Sequence, residues 1–167
     1  MDASAFIALV MACAPNVHAN TAHALVNVES AFNPWAIGVV GGALVRQPQY
    51  RAEAVATARA LKATGWNFSV GLGQINVSNF ERLGLTLDSA FEPCANLAAM
   101  QTVLTGCFER SSLATASTTQ RDQTALRNAL SCYYSGNFVT GFRHGYVRKV
   151  VAGTFRSIPT AQPKEKL

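Results

Sequence analysis

The residue best suited to chemistry is Glu29, which lies near the end of a helical pattern over residues 21–30. Its carboxyl group shares the i, i+3, i+4, i+7 spacing of Ala22, Leu25 and Val26, so a helix places it on the apolar, inward face. Partial desolvation and the negative end of the helix dipole both raise the pKa of such an acid. A carboxylic acid that is protonated near neutral pH can protonate a departing oxygen, as acetal cleavage requires. The simpler alternative is a solvated surface glutamate.

Two further segments carry groups that suit a neutral, hydroxyl-rich ligand. Residues 70–76 alternate glycine with apolar residues, so the backbone can approach a ligand while Gln74 offers amide donors and an acceptor. A second helical pattern ends within residues 130–137, and its spacing points Tyr133 inward, where a phenol can hold a buried acid. A turn before a helix and an ordinary core tyrosine are the plainer interpretations.

The elements that must position these groups are mostly helical. One domain of 167 residues is large enough to bury a core, and a charged fraction of only 14% makes extended disorder unexpected before the tail. Short strands are expected beside the glycines at 38–42, and a polar loop at 111–120. We expect a domain over residues 1–156 and a flexible C-terminal tail over 157–167. Helices are predicted over residues 4–13, 21–30, 51–64, 78–83, 93–110, 121–134 and 143–154.

The apolar stretch 5–14 resembles a signal-peptide core, but no basic residue precedes it. Phe6, Leu9, Val10 and Cys13 form one helical stripe, which favours the first helix of the domain. We therefore expect that an export signal lay upstream and was removed. No apolar run is long enough to span a membrane.

The four cysteines allow three complete pairings in an oxidising compartment. Cys94 and Cys107 would be about 20 Å apart on one continuous helix, far beyond the limit of about 7 Å for the Cα atoms of a disulfide. The remaining possibilities are Cys13–Cys94 with Cys107–Cys132, or Cys13–Cys107 with Cys94–Cys132. The third possibility is that all four cysteines are reduced, buried thiols.

The formal net charge is +5 and the pI is about 9.3, with a late basic cluster of Arg143, Arg148, Lys149 and Arg156. The positive electrostatic field of such a protein attracts an anionic polymer, which could be cell wall or nucleic acid. No nucleic-acid-binding motif is present, so nucleic acid is not an expected partner. The three histidines and four cysteines lack paired ligand spacings, so we expect no structural zinc.

Three segments taken in order resemble the signatures of the soluble lytic transglycosylase family: Glu29-Ser30, Gly71-Leu-Gly-Gln74 and Cys132-Tyr-Tyr-Ser-Gly136. Residues 29–38 and 91–97 resemble in particular the transglycosylases of type IV secretion and conjugation systems. The likeness extends over about residues 4–151.

The resemblance implies a lysozyme-like, mainly α (α+β) single domain with a small β element. It implies cleavage of the β-1,4 bond between N-acetylmuramic acid and N-acetylglucosamine in peptidoglycan, in the periplasm and without a cofactor or metal. The expected partners are glycan strands and type IV secretion subunits, and the expected state is a monomer. Glu29 would be the one catalytic acid and base, with Tyr133 helping to position it. The residues expected to contact substrate are Ser30, Gly73, Gln74, Asn76, Tyr133 and Tyr134.

Three features depart from the family pattern. Many relatives have Met where Gly73 stands and Asn where Tyr134 stands. The stretch between Glu29 and Gln74 is longer than in many relatives and contains an added helical pattern at 52–64. We therefore expect a cleft of different shape.

Glycosidases commonly pair two carboxylates, but none of the other eight acids suggests a partner for Glu29. Glu53 lies in an alanine-rich helical pattern, and Asp88 and Glu92 come just before another. After donating its proton, Glu29 alone can accept one from the substrate's own 6-hydroxyl, which attacks the anomeric carbon intramolecularly. A hydrolytic muramidase or chitinase-like enzyme with an unrecognised second acid is one alternative. A non-catalytic wall-binding scaffold is another.

Overall fold

Seven α-helices and a small sheet make up the part of the chain that the computed structural model describes, residues 2–112 and 118–154. Two 3₁₀ turns, Val77–Asn79 and Ser89–Phe91, join them. The predicted mainly helical fold with a small β element is confirmed. The helices are α1 (Ala3–Cys13), α2 (Ala19–Ser30), α3 (Arg51–Ala63), α4 (Pro93–Ser112), α5 (Thr118–Ser135), α6 (Thr140–Arg143) and α7 (Tyr146–Thr154), and the strands are β1 (Ile37–Val39), β2 (Phe68–Val70) and β3 (Ile75–Asn76).

The first helix is an integral part of the domain, as its stripe predicts. Asp2 begins it, because the side chain accepts a hydrogen bond from the Ala5 amide at 2.9 Å and satisfies a free donor of the first turn. Phe6 and Val10 are fully buried on its inner face. Within the described residues, no helix is both long and apolar enough to cross a membrane.

Helix α2 places Glu29 as its periodicity predicts. Ala22, Leu25 and Val26 are fully buried, whereas Glu29 in the last turn is half-buried. The helix ends because Ala31 turns into the left-handed region with φ of 50°, and its amide donates back to the Asn27 carbonyl. Helix α2 packs against α7, and this contact joins the second helix to the last helix of the described residues.

The antiparallel sheet has the order β1-β2-β3. Ile37 pairs with Val70, and Val70 with Ile75 on its other side. One strand is therefore confirmed at the glycines of 38–42, since β1 contains Gly38, but no strand directly follows them. β2 and β3 were not expected, because each is too short to show a clear alternation. Residues 71–74 thus form the turn of a hairpin rather than a turn before a helix.

The two disulfides are Cys13–Cys94 and Cys107–Cys132, with Cα separations of 5.2 and 5.9 Å. Both Cys94 and Cys107 lie on α4, so the geometric exclusion of that pair is confirmed. The first bond joins α1 to the start of α4, and the second joins α4 to α5. The other two possibilities, Cys13–Cys107 with Cys94–Cys132 and four free thiols, are wrong.

Two of the predicted helices are wrong in part. The helix expected over 78–83 is a single 3₁₀ turn, Val77–Asn79, followed by further turns. The helix expected over 143–154 is interrupted at Gly145, whose φ of 72° ends α6 and allows α7 to begin at Tyr146. Of the loop expected at 111–120, residues 111–112 belong to α4 and residues 118–120 to α5, whereas 113–117 lie outside the described residues. The predicted tail, 157–167, lies outside the described residues.

The disulfides give a stability prediction that depends on loop length. In the chain-entropy account, a crosslink stabilises by restricting the unfolded chain, more so for a longer loop. The separations of 81 and 25 residues predict losses of about 4.5 kcal/mol for Cys13→Ser/Cys94→Ser and about 3.5 kcal/mol for Cys107→Ser/Cys132→Ser. Urea unfolding of the two double variants measures this. A larger loss for the shorter loop would contradict the entropic account.

Candidate active site

A cleft of about 580 Å³ lies between the sheet and the last turn of α5. Glu29 enters it from the end of α2, and Tyr133 and Tyr134 enter it from α5. Amide and hydroxyl side chains dominate the polar part of the lining, among them Asn67, Ser69, Gln74, Asn76, Ser78 and Asn79. Such groups recognise a neutral, polyhydroxylated ligand rather than a charged one.

Glu29 is the only Asp, Glu, Lys or Arg among the residues that line the cleft in the described part of the chain. Burial raises the pKa of its carboxyl group to about 7, against a weaker opposing effect of the hydrogen bond from Tyr146. The Tyr146 hydroxyl donates to Oε1. The acid is therefore available in both its protonated and its ionised form near neutral pH, at a position that lines the cleft.

Tyr146 is the site residue that the sequence analysis missed. It is only 5% exposed at the start of α7, and the left-handed Gly145 before it turns the chain so that the ring enters the core beside α2. Burial and then the Glu29 charge raise the pKa of Tyr146 above its ordinary value, so the phenol remains a neutral donor. The sequence does contain one signal for this position. Tyr146 and Val150 are four residues apart, a spacing that places two side chains on the same face of a helix, and both are buried.

Tyr133 points inward as predicted, but its hydrogen-bond partner differs from the expected acid. Its hydroxyl donates to the Gly73 carbonyl at 2.5 Å. The hydrogen bond expected between Tyr133 and Glu29 is made by Tyr146 instead. Burial, and then the charge of the nearby Glu29, raise the pKa of Tyr133 well above its ordinary value. Tyr133 therefore connects α5 to the hairpin turn at the floor of the cleft.

The hairpin turn is held by Asn96, a second residue that the sequence analysis missed. Its amide is buried, accepts from the Gly73 amide at 2.7 Å, and donates to the Val70 and Ala90 carbonyls at 3.0 and 2.8 Å. A Cβ atom at Gly73 would lie 2.9 Å from the Tyr133 hydroxyl and 3.0 Å from Met100. A side chain at position 73 would therefore require Tyr133 and Met100 to shift away from the turn.

The other predicted substrate contacts divide into two groups. Gln74 and Asn76 line the cleft; the Gln74 amide donates to the Ala36 and Gly71 carbonyls at 3.1 and 3.0 Å, which leaves its carbonyl oxygen beside Gly38. Ser30 and Gly73 do not line it. The Ser30 hydroxyl donates to the Val26 carbonyl at 3.2 Å within α2, and Gly73 acts through its backbone.

Three of the remaining carboxylates are held in ion pairs elsewhere. Glu53 pairs with Arg46 at 2.5 Å, Glu92 with Arg51 at 2.8 Å, and Asp88 with Arg59 at 2.7 Å. None of these six residues lines the cleft. Among the described residues there is also no group of three or more His, Cys, Asp or Glu that could hold a metal ion.

Comparison with known proteins finds relatives over most of the chain. The chain is 49% identical over 152 residues to "Type IV secretion system protein virB1" of Brucella abortus, which covers 88% of the chain and 63% of the relative. It is 40% identical over 157 residues to "Protein virB1" of Agrobacterium fabrum, covering 92% of the chain and 61% of the relative. No solved structure matches it.

The chain thus spans a little under two thirds of the length of these relatives. Residues 7–140 match the family described as the transglycosylase SLT domain. This span contains Glu29, the Gly71–Gln74 turn and Tyr133, and it ends before Tyr146. The chain belongs to the transglycosylase SLT domain family.

Proposed function

We propose that this domain is a peptidoglycan lytic transglycosylase that cleaves the β-1,4 bond between N-acetylmuramic acid and N-acetylglucosamine. The observation that carries the proposal is a lone glutamic acid, with its pKa raised to about 7, in a cleft lined by amides and hydroxyls. A neutral glycan backbone suits this lining, and a protonated acid suits cleavage of its acetal bond. Membership of the transglycosylase SLT domain family supports the same activity.

In the first step, Glu29 donates its proton from Oε2 to the glycosidic oxygen, and the bond from that oxygen to the anomeric carbon breaks. The resulting carboxylate is not left unpaired, because the Tyr146 hydroxyl still donates to Oε1. A hydrogen bond to the ionised form stabilises it. Tyr146 thereby stabilises the carboxylate that bond cleavage produces.

In the second step, the Glu29 carboxylate removes the proton of the 6-hydroxyl on the muramic acid, and that oxygen bonds to the anomeric carbon. The acid is thereby regenerated, and the product carries a 1,6-anhydro end without consuming water. The attacking oxygen is tethered to the reacting ring, so no second carboxylate is needed to hold a nucleophile. This fits a cleft in which Glu29 is the only acidic residue of the described lining.

The substrate contacts that we propose are Gln74, Asn76, Tyr133 and Tyr134 along the cleft wall. Ser30 and Gly73 support the site indirectly, through the end of α2 and through the hairpin turn. The amide nitrogen of Gln74 donates to two backbone carbonyls, which fixes the orientation of the side chain. In this orientation we propose that the side-chain carbonyl oxygen accepts a hydrogen bond from a sugar hydroxyl or acetamide group. No cofactor takes part in this reaction.

We further propose that the domain acts in the periplasm as a monomer and opens the cell wall locally for a type IV secretion system. The similarity to the Brucella relative, a type IV secretion system protein by name, supports that setting. The two disulfides suit an oxidising compartment. The basic residues Arg143, Arg148 and Lys149 lie exposed on and beside α6 and α7, where they can attract an anionic wall polymer.

Replacement of the acid tests the proposal directly. Glu29→Gln should reduce cleavage of purified sacculi at least about a thousandfold, because an amide can neither donate the proton nor accept one. Mass spectrometry of the wild-type products should show anhydro ends, one water lighter than hydrolytic ends. Glu81→Gln, at an exposed glutamate outside the cleft, is the matched control.

The other outcomes of that digestion decide between the alternatives. Products that carry the extra water would show a hydrolytic muramidase. Binding of wild-type protein to sacculi without release of fragments would show a non-catalytic scaffold. Near-normal cleavage by Glu29→Gln would reject the assigned acid.

The pH dependence follows from the same acid. Activity requires protonated Glu29, so kcat/KM should fall as pH rises through about 7. This fall is the basic limb of the pH profile. In Tyr146→Phe the hydrogen bond that lowers the Glu29 pKa is lost, so the basic limb should move to higher pH, and the maximal rate should fall. Tyr50→Phe, at an exposed tyrosine outside the cleft, is the control. A limb that moved to lower pH in Tyr146→Phe would contradict the assignment.

The raised pKa also predicts a pH-dependent cost in stability. Folded Glu29 binds its proton more tightly than the unfolded chain does, so its contribution is fully present below pH 4.5 and is lost as pH rises through about 7. Glu29→Gln does not titrate. Above pH 8 it should therefore be more stable than wild type by about 3 kcal/mol, a gap that closes below pH 4.5. Urea unfolding at both pH values, with Glu81→Gln as control, measures this; a constant gap would contradict it.

A further inference from the structure

Three aromatic side chains form a group that reaches the cleft through Tyr134. The rings of Tyr134 and Tyr146 are stacked, with centroids 4.6 Å apart and an angle of 22° between their planes. A hydrogen bond of 3.2 Å joins the Tyr134 hydroxyl to Nδ1 of His144, and the two rings meet edge to face at 5.9 Å. Tyr134 is therefore held at one face by Tyr146 and at its hydroxyl by His144.

Tyr134 nevertheless remains open to the cleft. It is 44% exposed and lines the cleft beside Tyr133 and Ser135, whereas Tyr146 behind it is only 5% exposed. Because Tyr146 covers one face of the ring, the exposed surface of Tyr134 lies on the opposite face and the edge. The result is an aromatic surface in a fixed orientation, in the cleft that Glu29 also lines and stacked on the tyrosine that binds Glu29.

An aromatic surface among amide and hydroxyl groups has a natural partner in a pyranose ring. The hydroxyl groups of a sugar lie around its rim, and one ring face presents C–H groups that can pack on an aromatic face. The amides and hydroxyls across the cleft can bind the rim at the same time. Fixing the ring before the ligand arrives also reduces the entropy lost on binding.

We propose that Tyr134 is the platform on which one pyranose ring of the glycan packs next to the bond that is cleaved, and that His144 is a positioning residue that fixes the plane of this platform. The proposal rests on the proposed function for the class of ligand, an N-acetylated amino sugar chain. It assigns to Tyr134 a contact through its ring face, where the asparagine of many relatives can offer only hydrogen bonds.

The test uses catalytically silent protein, so that binding is measured apart from turnover. In the Glu29→Gln background, calorimetry gives the Kd for the tetramer of N-acetylglucosamine. Adding Tyr134→Ala should weaken binding about tenfold, equivalent to about 1.4 kcal/mol, whereas Tyr134→Phe should retain binding within about threefold because the ring remains. His144→Ala should weaken binding about threefold, since the ring remains but is less fixed.

Two further variants separate the platform from general damage. Phe142→Ala removes another side chain that is 44% exposed but does not line the cleft, and it should leave the Kd unchanged. Tyr134→Leu keeps apolar bulk on Tyr146 but has no aromatic face, so it should resemble Tyr134→Ala. Thermal unfolding of each variant checks that it is folded.

Kinetics on uncrosslinked glycan strands, with Glu29 intact, exclude a purely structural role. A platform predicts that Tyr134→Ala raises KM by about tenfold and leaves the pH of the basic limb in place. If Tyr134 acted only by holding Tyr146 against Glu29, kcat would fall and the basic limb would shift while the tetramer Kd stayed constant. That result would overturn the proposal, as would a Kd unchanged in Tyr134→Leu, or no binding of the tetramer to Glu29→Gln protein.

These experiments also distinguish failure of the aromatic platform from failure of the proposed function. A hydrolytic product, or no cleavage by the wild type, would reject the transglycosylase assignment without changing the predicted loss of tetramer binding in Tyr134→Ala. A transglycosylase whose tetramer binding is insensitive to Tyr134→Leu would reject only the platform.

Discussion

The site depends on a balance at one carboxyl group. Burial at the end of α2 favours the neutral form of Glu29, and the hydrogen bond from Tyr146 favours the ionised form; the first effect is the larger, and the pKa lies at about 7. No Lys or Arg lines the cleft in the described part of the chain, so no cation there pulls the pKa down. The balance is set by the packing of α2 against α7, which joins two residues 117 positions apart. A small change in that packing would alter both the burial and the hydrogen bond.

The opposite wall of the cleft is fixed by contacts that converge on the hairpin turn. Asn96 of α4 binds the Gly73 amide, and Tyr133 of α5 binds the carbonyl of the same residue. The Cys107–Cys132 bond joins these two helices one residue before Tyr133. Both helices therefore position a backbone turn rather than a reactive group, and the turn in turn sets the location of Gln74. Such a rigid wall suits a reaction in which the protein supplies one acid and a defined orientation of the substrate.

Local periodicity was sufficient to place Glu29, because its neighbours on the buried stripe lie within two helical turns. The same reasoning could not find Tyr146, whose role arises from a contact between distant segments and from the left-handed Gly145 that divides a single helical pattern into α6 and α7. Strands β2 and β3 were missed since two or three residues show no reliable alternation. Helix geometry excluded one disulfide pairing, but the choice between the others depended on how α1 and α5 pack on α4. Tertiary packing, rather than local propensity, accounts for each of these differences.

The distribution of charge explains how one acid can be sufficient. Glu53, Asp88 and Glu92 are held by arginines on and around α3, on elements that do not line the cleft. A second carboxylate close to Glu29 would raise its pKa further by repulsion and would offer a base that activates water. With those acids outside the cleft, the nucleophile that we propose for Glu29 to activate is the substrate's own 6-hydroxyl. The location of these acids outside the cleft, rather than their largely exposed ion pairs, therefore suits the proposed ring closure, because ion pairs of this kind contribute little free energy.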